Sequence, residues 1–173
     1  SDTKAMTATL AARLVERGLI TWDTKLIDAI PEIRERIAQE FHNVTLEALL
    51  TQRSGIDPAR ETSTWLLGMH VTNEERDIHQ RRVDAIVELM RDSPIKPTTQ
   101  PAFAYANGNY IAAGAMLESV TGKSWETLMQ DEIFDPLKMN SAGFGSPKRI
   151  TGHTTSNDKL IAAKFDNPVA LGP

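Results

Sequence analysis

Residues 110–120, Tyr-Ile-Ala-Ala-Gly-Ala-Met-Leu-Glu-Ser-Val, are apolar on nearly every side of a helical wheel. A helix with one apolar stripe rests on a core, whereas one that is apolar all round is enclosed by it. The segment therefore predicts a buried helix ended by Gly122, with Ser124 capping the next helix through Ile133. Other segments read as helices too. Met6, Leu10, Leu14 and Val15 recur at helical spacing between residues 3 and 17, with Gly18 as a C-terminal cap. Asp23 opens a brief turn through Leu26 and Ile27 that ends at Pro31, and Thr45 opens a short helix over 46–51 stopped by Ser54-Gly55. Thr72-Asn73-Glu74-Glu75 is a capping box ahead of the stripe Ile78, Ala85, Ile86, Leu89 and Met90. Residues 56–71 read as irregular, with Trp65, Leu66 and Leu67 as a hydrophobic plug. Phe103-Ala104-Tyr105 reads as extended and Asn107-Gly108 as a turn. Residues 140–173 show no sustained periodicity and are expected to pack against something outside the sequence.

Composition narrows the function classes. A chain of 173 residues with 40% apolar content and 24% charge suits one folded domain, and no internal repeat is visible. Its net charge of -4 gives no electrostatic footprint for nucleic acid or an acidic membrane. No run of apolar residues is long enough to span a bilayer, and no signal peptide is visible. With no cysteine, thiolate metal sites are excluded. His42, His70, His79 and His153 are scattered and read as surface or packing residues, so no metal site is expected. Gly122-Lys123-Ser124 lacks the earlier glycine of a phosphate loop, since position 117 is Leu117. Arg76, Arg81 and Arg82 among Glu74, Glu75, Asp77 and Asp84 read as a solvated, salt-bridged helix face. Trp22, Trp65 and Trp125 read as core residues.

Two pairs carry nucleophilic chemistry. Ser1 and Lys4 are three apart, which on a helix puts both on one face, one turn apart. A serine hydroxyl attacks only when a base takes its proton, and a lysine serves as that base when its amine is neutral. A helix N-terminus also favours negative charge developing on an attacked carbonyl oxygen. Tyr105 and Asn107 are two apart, so an extended segment presents a phenol and a carboxamide to one site. The phenol is a candidate proton relay, and the carboxamide bonds both an amine and a substrate amide or ester. Taken alone, Ser-x-x-Lys is equally a capping serine followed by a surface lysine, and Tyr-x-Asn a core-edge tyrosine beside a turn.

Order and spacing weigh against those bland readings. Ser-Asp-Thr-Lys-Ala-Met-Thr-Ala at 1–8, Leu-Leu-Thr-Gln-Arg-Ser-Gly-Ile at 49–56, Tyr-Ala-Asn at 105–107 and Ile-Phe-Asp-Pro-Leu-Lys-Met at 133–139 resemble the serine β-lactamase and penicillin-binding protein superfamily. The branch most alike comprises class C β-lactamases, D-alanyl-D-alanine carboxypeptidases and related esterases, and residues 166–173 are similar to a segment of it. The resemblance implies Ser1 as acylated nucleophile, Lys4 as its base, Tyr105 as the second proton-transfer group and Asn107 as a substrate-orienting residue. It implies acyl transfer from a β-lactam, a peptidoglycan-like D-alanyl peptide or an ester, without metal or organic cofactor. The expected fold is mainly α, the helical lobe of the β-lactamase/transpeptidase-like α/β fold with few or no strands. Residues 1–139 form that lobe with the nucleophile helix, and 140–173 form a tail that packs on an α/β portion outside the sequence. Relatives are often exported to the bacterial periplasm.

The sequence also departs from the family pattern. Its third motif, Lys-Thr-Gly or His-x-Gly on a strand, is not present: Thr121-Gly122-Lys123 has the wrong order and His153-Thr154-Thr155 does not match. Gln52 stands where many relatives carry His, and no Glu-x-x-Leu-Asn base is found. The isolated chain is therefore expected to have little hydrolase activity. Two other readings fit part of the pattern: a non-catalytic helical module in which both motifs are relics, and an N-terminal-nucleophile hydrolase using the Ser1 α-amine as base.

Overall fold

The buried helix is the axis of the structure. In a computed structural model that describes residues 2–61, 77–92, 102–145, 153–156, 158–162 and 172–173, it is preceded by α1 (Asp2–Glu16), α2 (Leu26–Ala29), α3 (Leu46–Leu50) and α4 (Ile78–Met90). The axis itself is α5 (Asn107–Thr121), followed by α6 (Trp125–Met129), which continues as one π-helical turn over Gln130–Phe134. All residues from Gly108 to Glu118 are buried, and α1, α2, α3, α4 and α6 all pack on α5. Ile111, Met116 and Leu117 lose essentially all exposure, worth roughly 1.5–3 kcal/mol each. Gly122 takes a left-handed φ of 67° and its N–H donates to Glu118 O at 2.8 Å, ending the helix as its position implied. At Gly114 a side chain would bring a Cβ to 2.7 Å from Pro173 Cβ, so the glycine lets residue 173 rest directly on the axis.

The outer helices follow from their apolar spacing. α1 buries Thr7, Leu10, Ala11 and Leu14, and Gly18 at φ 70° closes it. α2 and α3 are joined by an antiparallel bridge between Lys25 and Thr45, flanked by bonds from Leu26 N to Val44 O (2.8 Å) and from Leu46 N to Thr24 O (3.0 Å). Thr45 caps α3 by accepting Ala48 N, and Ser124 caps α6 by accepting Thr127 N. Arg13 and Arg17 both donate to Glu132, tying α1 to the π-helical turn. The mainly helical class stands, with β1 (His153–Ser156) and β2 (Lys159–Ala162) as an antiparallel hairpin. This hairpin lies where the sequence shows no periodicity because β2 is exposed on both faces, so no apolar alternation is needed.

Several local readings are corrected. Asn107-Gly108 is the first turn of α5 rather than a separate turn, because its N–H groups find acceptors on a distant side chain described below. Trp22 is 39% exposed, whereas Trp125 is buried against Phe144 and beside Arg82. Arg82 is not on a solvated face: it is fully buried and paired with Glu118 and Glu126. Opposite charges make such burial tolerable, and Trp125 N also donates to Glu118, at 2.8 Å. α4 is capped by Asp77, which accepts His79 N and Gln80 N. The capping box at 72–75, Trp65 to Leu67, His70 and Arg76 lie outside the described residues.

His79 titrates within this cluster. Its hydrogen bond to Glu118 (2.8 Å) raises its pKa, burial opposes that, and the charges of Glu118, Asp77 and Glu32 add to the rise. A folded pKa above the ordinary value of about 6.5 means that this stabilisation is complete below about pH 6.5 and is lost as pH climbs through the folded pKa. The stability advantage of the unmodified protein over His79→Gln, measured by urea denaturation, should therefore be largest in acid and shrink with rising pH. An advantage that grew with pH would contradict the assignment.

Candidate active site

Chain segments far apart in sequence converge on the Lys4 amine. Lys4 is half-buried in the first turn of α1, and its Nζ donates to Asn107 Oδ1 at 2.9 Å across 103 positions. The same nitrogen lies 5.2 Å from the centroid of the Tyr105 ring and 5.5 Å from that of Tyr110. Both distances fall inside the range in which an aromatic face attracts a cation. Lys4, Tyr105 and Asn107 are thus brought together, while Ser1 lies outside the described residues.

The Tyr105 segment is held by α3's exit. Gln52 has a left-handed φ of 60°, which turns both its backbone and its side-chain oxygen toward residues 104–109. Its O accepts Ala104 N (2.9 Å), and its Oε1 accepts Ala106 N (3.0 Å) and Asn109 Nδ2 (2.6 Å). Ser54 Oγ donates to Asn109 Oδ1 and accepts Ile56 N at 3.2 Å, so two residues of the 49–56 block build the floor beneath the site. Alternation then puts Tyr105 and Asn107 on the opposite side, toward Lys4. Gln52, where relatives often carry histidine, is thus an integral hydrogen-bonding part of the packing.

The two tyrosines are not equivalent. Tyr110 is buried and its hydroxyl donates to Leu50 O at 3.0 Å. Burial, and then the neighbouring Tyr105, raise its pKa, so this phenol stays protonated and offers Lys4 only its ring. Tyr105 is 46% exposed and reaches solvent beside the amine.

Two contributors escape sequence reading. Glu61, half-buried after the 3₁₀ turn Pro58–Arg60, accepts Asn107 N (2.9 Å), Asn107 Nδ2 (3.2 Å) and Gly108 N. Nothing local marks it, because its partners are 46 and 47 positions away. Tyr110 is the other, hidden by its place in an all-apolar helix. Among the described residues no cluster of three or more His, Cys, Asp or Glu is placed to hold a metal, and no helix is long and apolar enough to cross a membrane.

The sequence model of the Beta-lactamase family matches residues 1–172. Penicillin-binding protein 4 of Amycolatopsis lactamdurans is 31% identical over 142 residues, which is 82% of this chain and 34% of that protein. This chain therefore spans about a third of the length of that curated relative. A D-stereospecific amidohydrolase from Streptomyces superposes with a TM-score of 0.72 at 22% identity, over 98% of this chain and 53% of that one. A class C β-lactamase from Rhodobacter sphaeroides superposes at 0.67 with 24% identity, over 99% and 45% respectively. The last two comparisons establish the fold, the helical part of the β-lactamase-like architecture.

Truncating Gln52 tests how the floor is built. Gln52→Ala strands the buried Ala106 N–H and Asn109 amide, so urea denaturation should show a loss of about 1–3 kcal/mol. A loss within error of zero would mean that these groups re-pair without it.

Proposed function

The chain belongs to the beta-lactamase family, and on that premise we propose that it forms the helical part of a serine hydrolase working through a covalent acyl-enzyme. The observation that carries this reading is the convergence on Lys4 Nζ of Asn107 Oδ1 and the Tyr105 ring. In the proposed reaction Ser1 Oγ attacks the carbonyl carbon of an amide or ester while its proton passes to the neutral Lys4 amine. The new C–O bond forms, the oxyanion collapses, and the C–N or C–O bond to the leaving group breaks. Lys4 returns the proton to that leaving group through the Tyr105 hydroxyl, and water then releases the acyl group by the same relay in reverse. Asn107, its carboxamide anchored on both Lys4 and Glu61, orients the acyl donor beside them.

The acyl donor belongs to the β-lactam, D-alanyl peptide or ester class. The names of the relatives support this range: a penicillin-binding protein, a D-stereospecific amidohydrolase and a class C β-lactamase. The family's third motif is not found in residues 1–173. Turnover by the 173-residue chain alone is accordingly expected to be minimal.

The test is the rate of covalent labelling of the full encoded protein by a fluorescent penicillin. Lys4→Met and Tyr105→Phe should each slow labelling by roughly 10²–10⁴-fold, the usual range for losing a proton-transfer group. Labelling at an unchanged rate in Lys4→Met would refute the mechanism.

A further inference from the structure

An asparagine carboxamide has a donating end and an accepting end, and which end meets Lys4 decides what that amine experiences. Asn107 Nδ2 is committed to Glu61 Oε2, so Oδ1 faces the lysine. Turning the carboxamide over would set Oδ1 against the Glu61 carboxylate, replacing an attractive contact by a repulsive one, and would take from the Lys4 amine the oxygen to which it donates. We infer that Glu61 is the positioning residue of this site: it fixes the orientation of Asn107 and, through it, the direction of the Lys4 amine. The inference rests on the acyl-transfer reading above and adds a residue to it.

Glu61 is itself held in place from several sides. Asp57 caps the turn over Pro58–Arg60 by accepting Ala59 N at 2.9 Å. Arg60 donates to Asp92 O (2.7 Å) and Glu88 O (3.0 Å), pinning the turn to the end of α4. The carboxylate then takes the first N–H groups of α5, where the positive end of the helix dipole favours an anion. Gly108 leaves room for this approach. A Cβ there would collide with Leu89 Cδ1 and come to 3.2 Å from Glu61 Oε1, tight enough to shift the carboxylate by a few tenths of an ångström.

The consequence for Lys4 is directional. A neutral amine has two N–H bonds and one lone pair, and donating one N–H to Asn107 restricts the lone pair to rotation about that axis. A base that must take a proton from one hydroxyl gains from this restriction, because the reacting atoms are aligned before reaction. A carboxamide free to turn would leave the amine with an acceptor only part of the time.

The test compares the full encoded protein with Glu61→Gln, Asn107→Ala and the double variant. Labelling at saturating fluorescent penicillin should slow by about 10- to 100-fold in Glu61→Gln, with the half-saturating penicillin concentration little changed. In the Asn107→Ala background Glu61→Gln should add no further loss, since its effect passes through Asn107. An unchanged rate in Glu61→Gln, or an equal loss in both backgrounds, would overturn the inference. A second readout needs no penicillin: in ¹⁵N-labelled protein, Glu61→Gln should shift the Asn107 side-chain NH₂ resonances and speed their exchange. Unchanged resonances would overturn the inference even if the unsubstituted protein fails to label, an outcome that counts against the acyl-transfer reading instead.

Discussion

Enclosing α5 on every side is the constraint from which the rest of the structure follows. The first N–H groups and last carbonyls of such a helix have no partners within it and call for pairing from elsewhere. At the C-terminal end Gly122 closes the chain back on Glu118 O. At the N-terminal end local sequence offers no cap, since Ala106 has no capping side chain, and Glu61 supplies the acceptors. Meeting that structural need also delivers a carboxylate to the Asn107 amide, and so couples helix termination to the arrangement of the site.

The two ends of α5 carry buried charge in different ways. Near its C-terminus Glu118 gathers Arg82, His79 and the Trp125 N–H, a cluster that locks α4, α5 and α6 together. Trp125 extends this to α1 by donating to Thr7 Oγ1 at 3.2 Å, and Thr7 in turn donates to Pro173 O at 3.3 Å. Near its N-terminus the charges of Lys4 and Glu61 do not touch but are linked through one carboxamide. The first arrangement is closed and stabilising. The second leaves Tyr105 and the lysine amine at a half-exposed edge.

Periodicity made much of this readable, for physical reasons. The spacing of Leu10 and Leu14, the apolarity of residues 110–120 on nearly every side, and the glycine caps at 18 and 122 are local signals that tertiary packing does not override. Lys4, Tyr105 and Asn107 were singled out by short motifs and their order along the chain, and the structure sets the Lys4 amine against the other two. What escaped was set by partners distant in sequence. Asn107-Gly108 looked like a turn because Glu61 is invisible from there, and Arg82 looked solvated because Glu118 and Glu126 come from two other helices. The β1–β2 hairpin left no pattern because no face of β2 is buried.

The proposed acyl transfer requires Ser1 to be the nucleophile that the Lys4 cluster serves. Peptide mapping by mass spectrometry of the full encoded protein after reaction with penicillin locates the bond directly. An intact penicilloyl adduct on Ser1, with no modified Lys4, is the predicted result; an adduct on another residue, with Ser1 recovered unmodified, would contradict it.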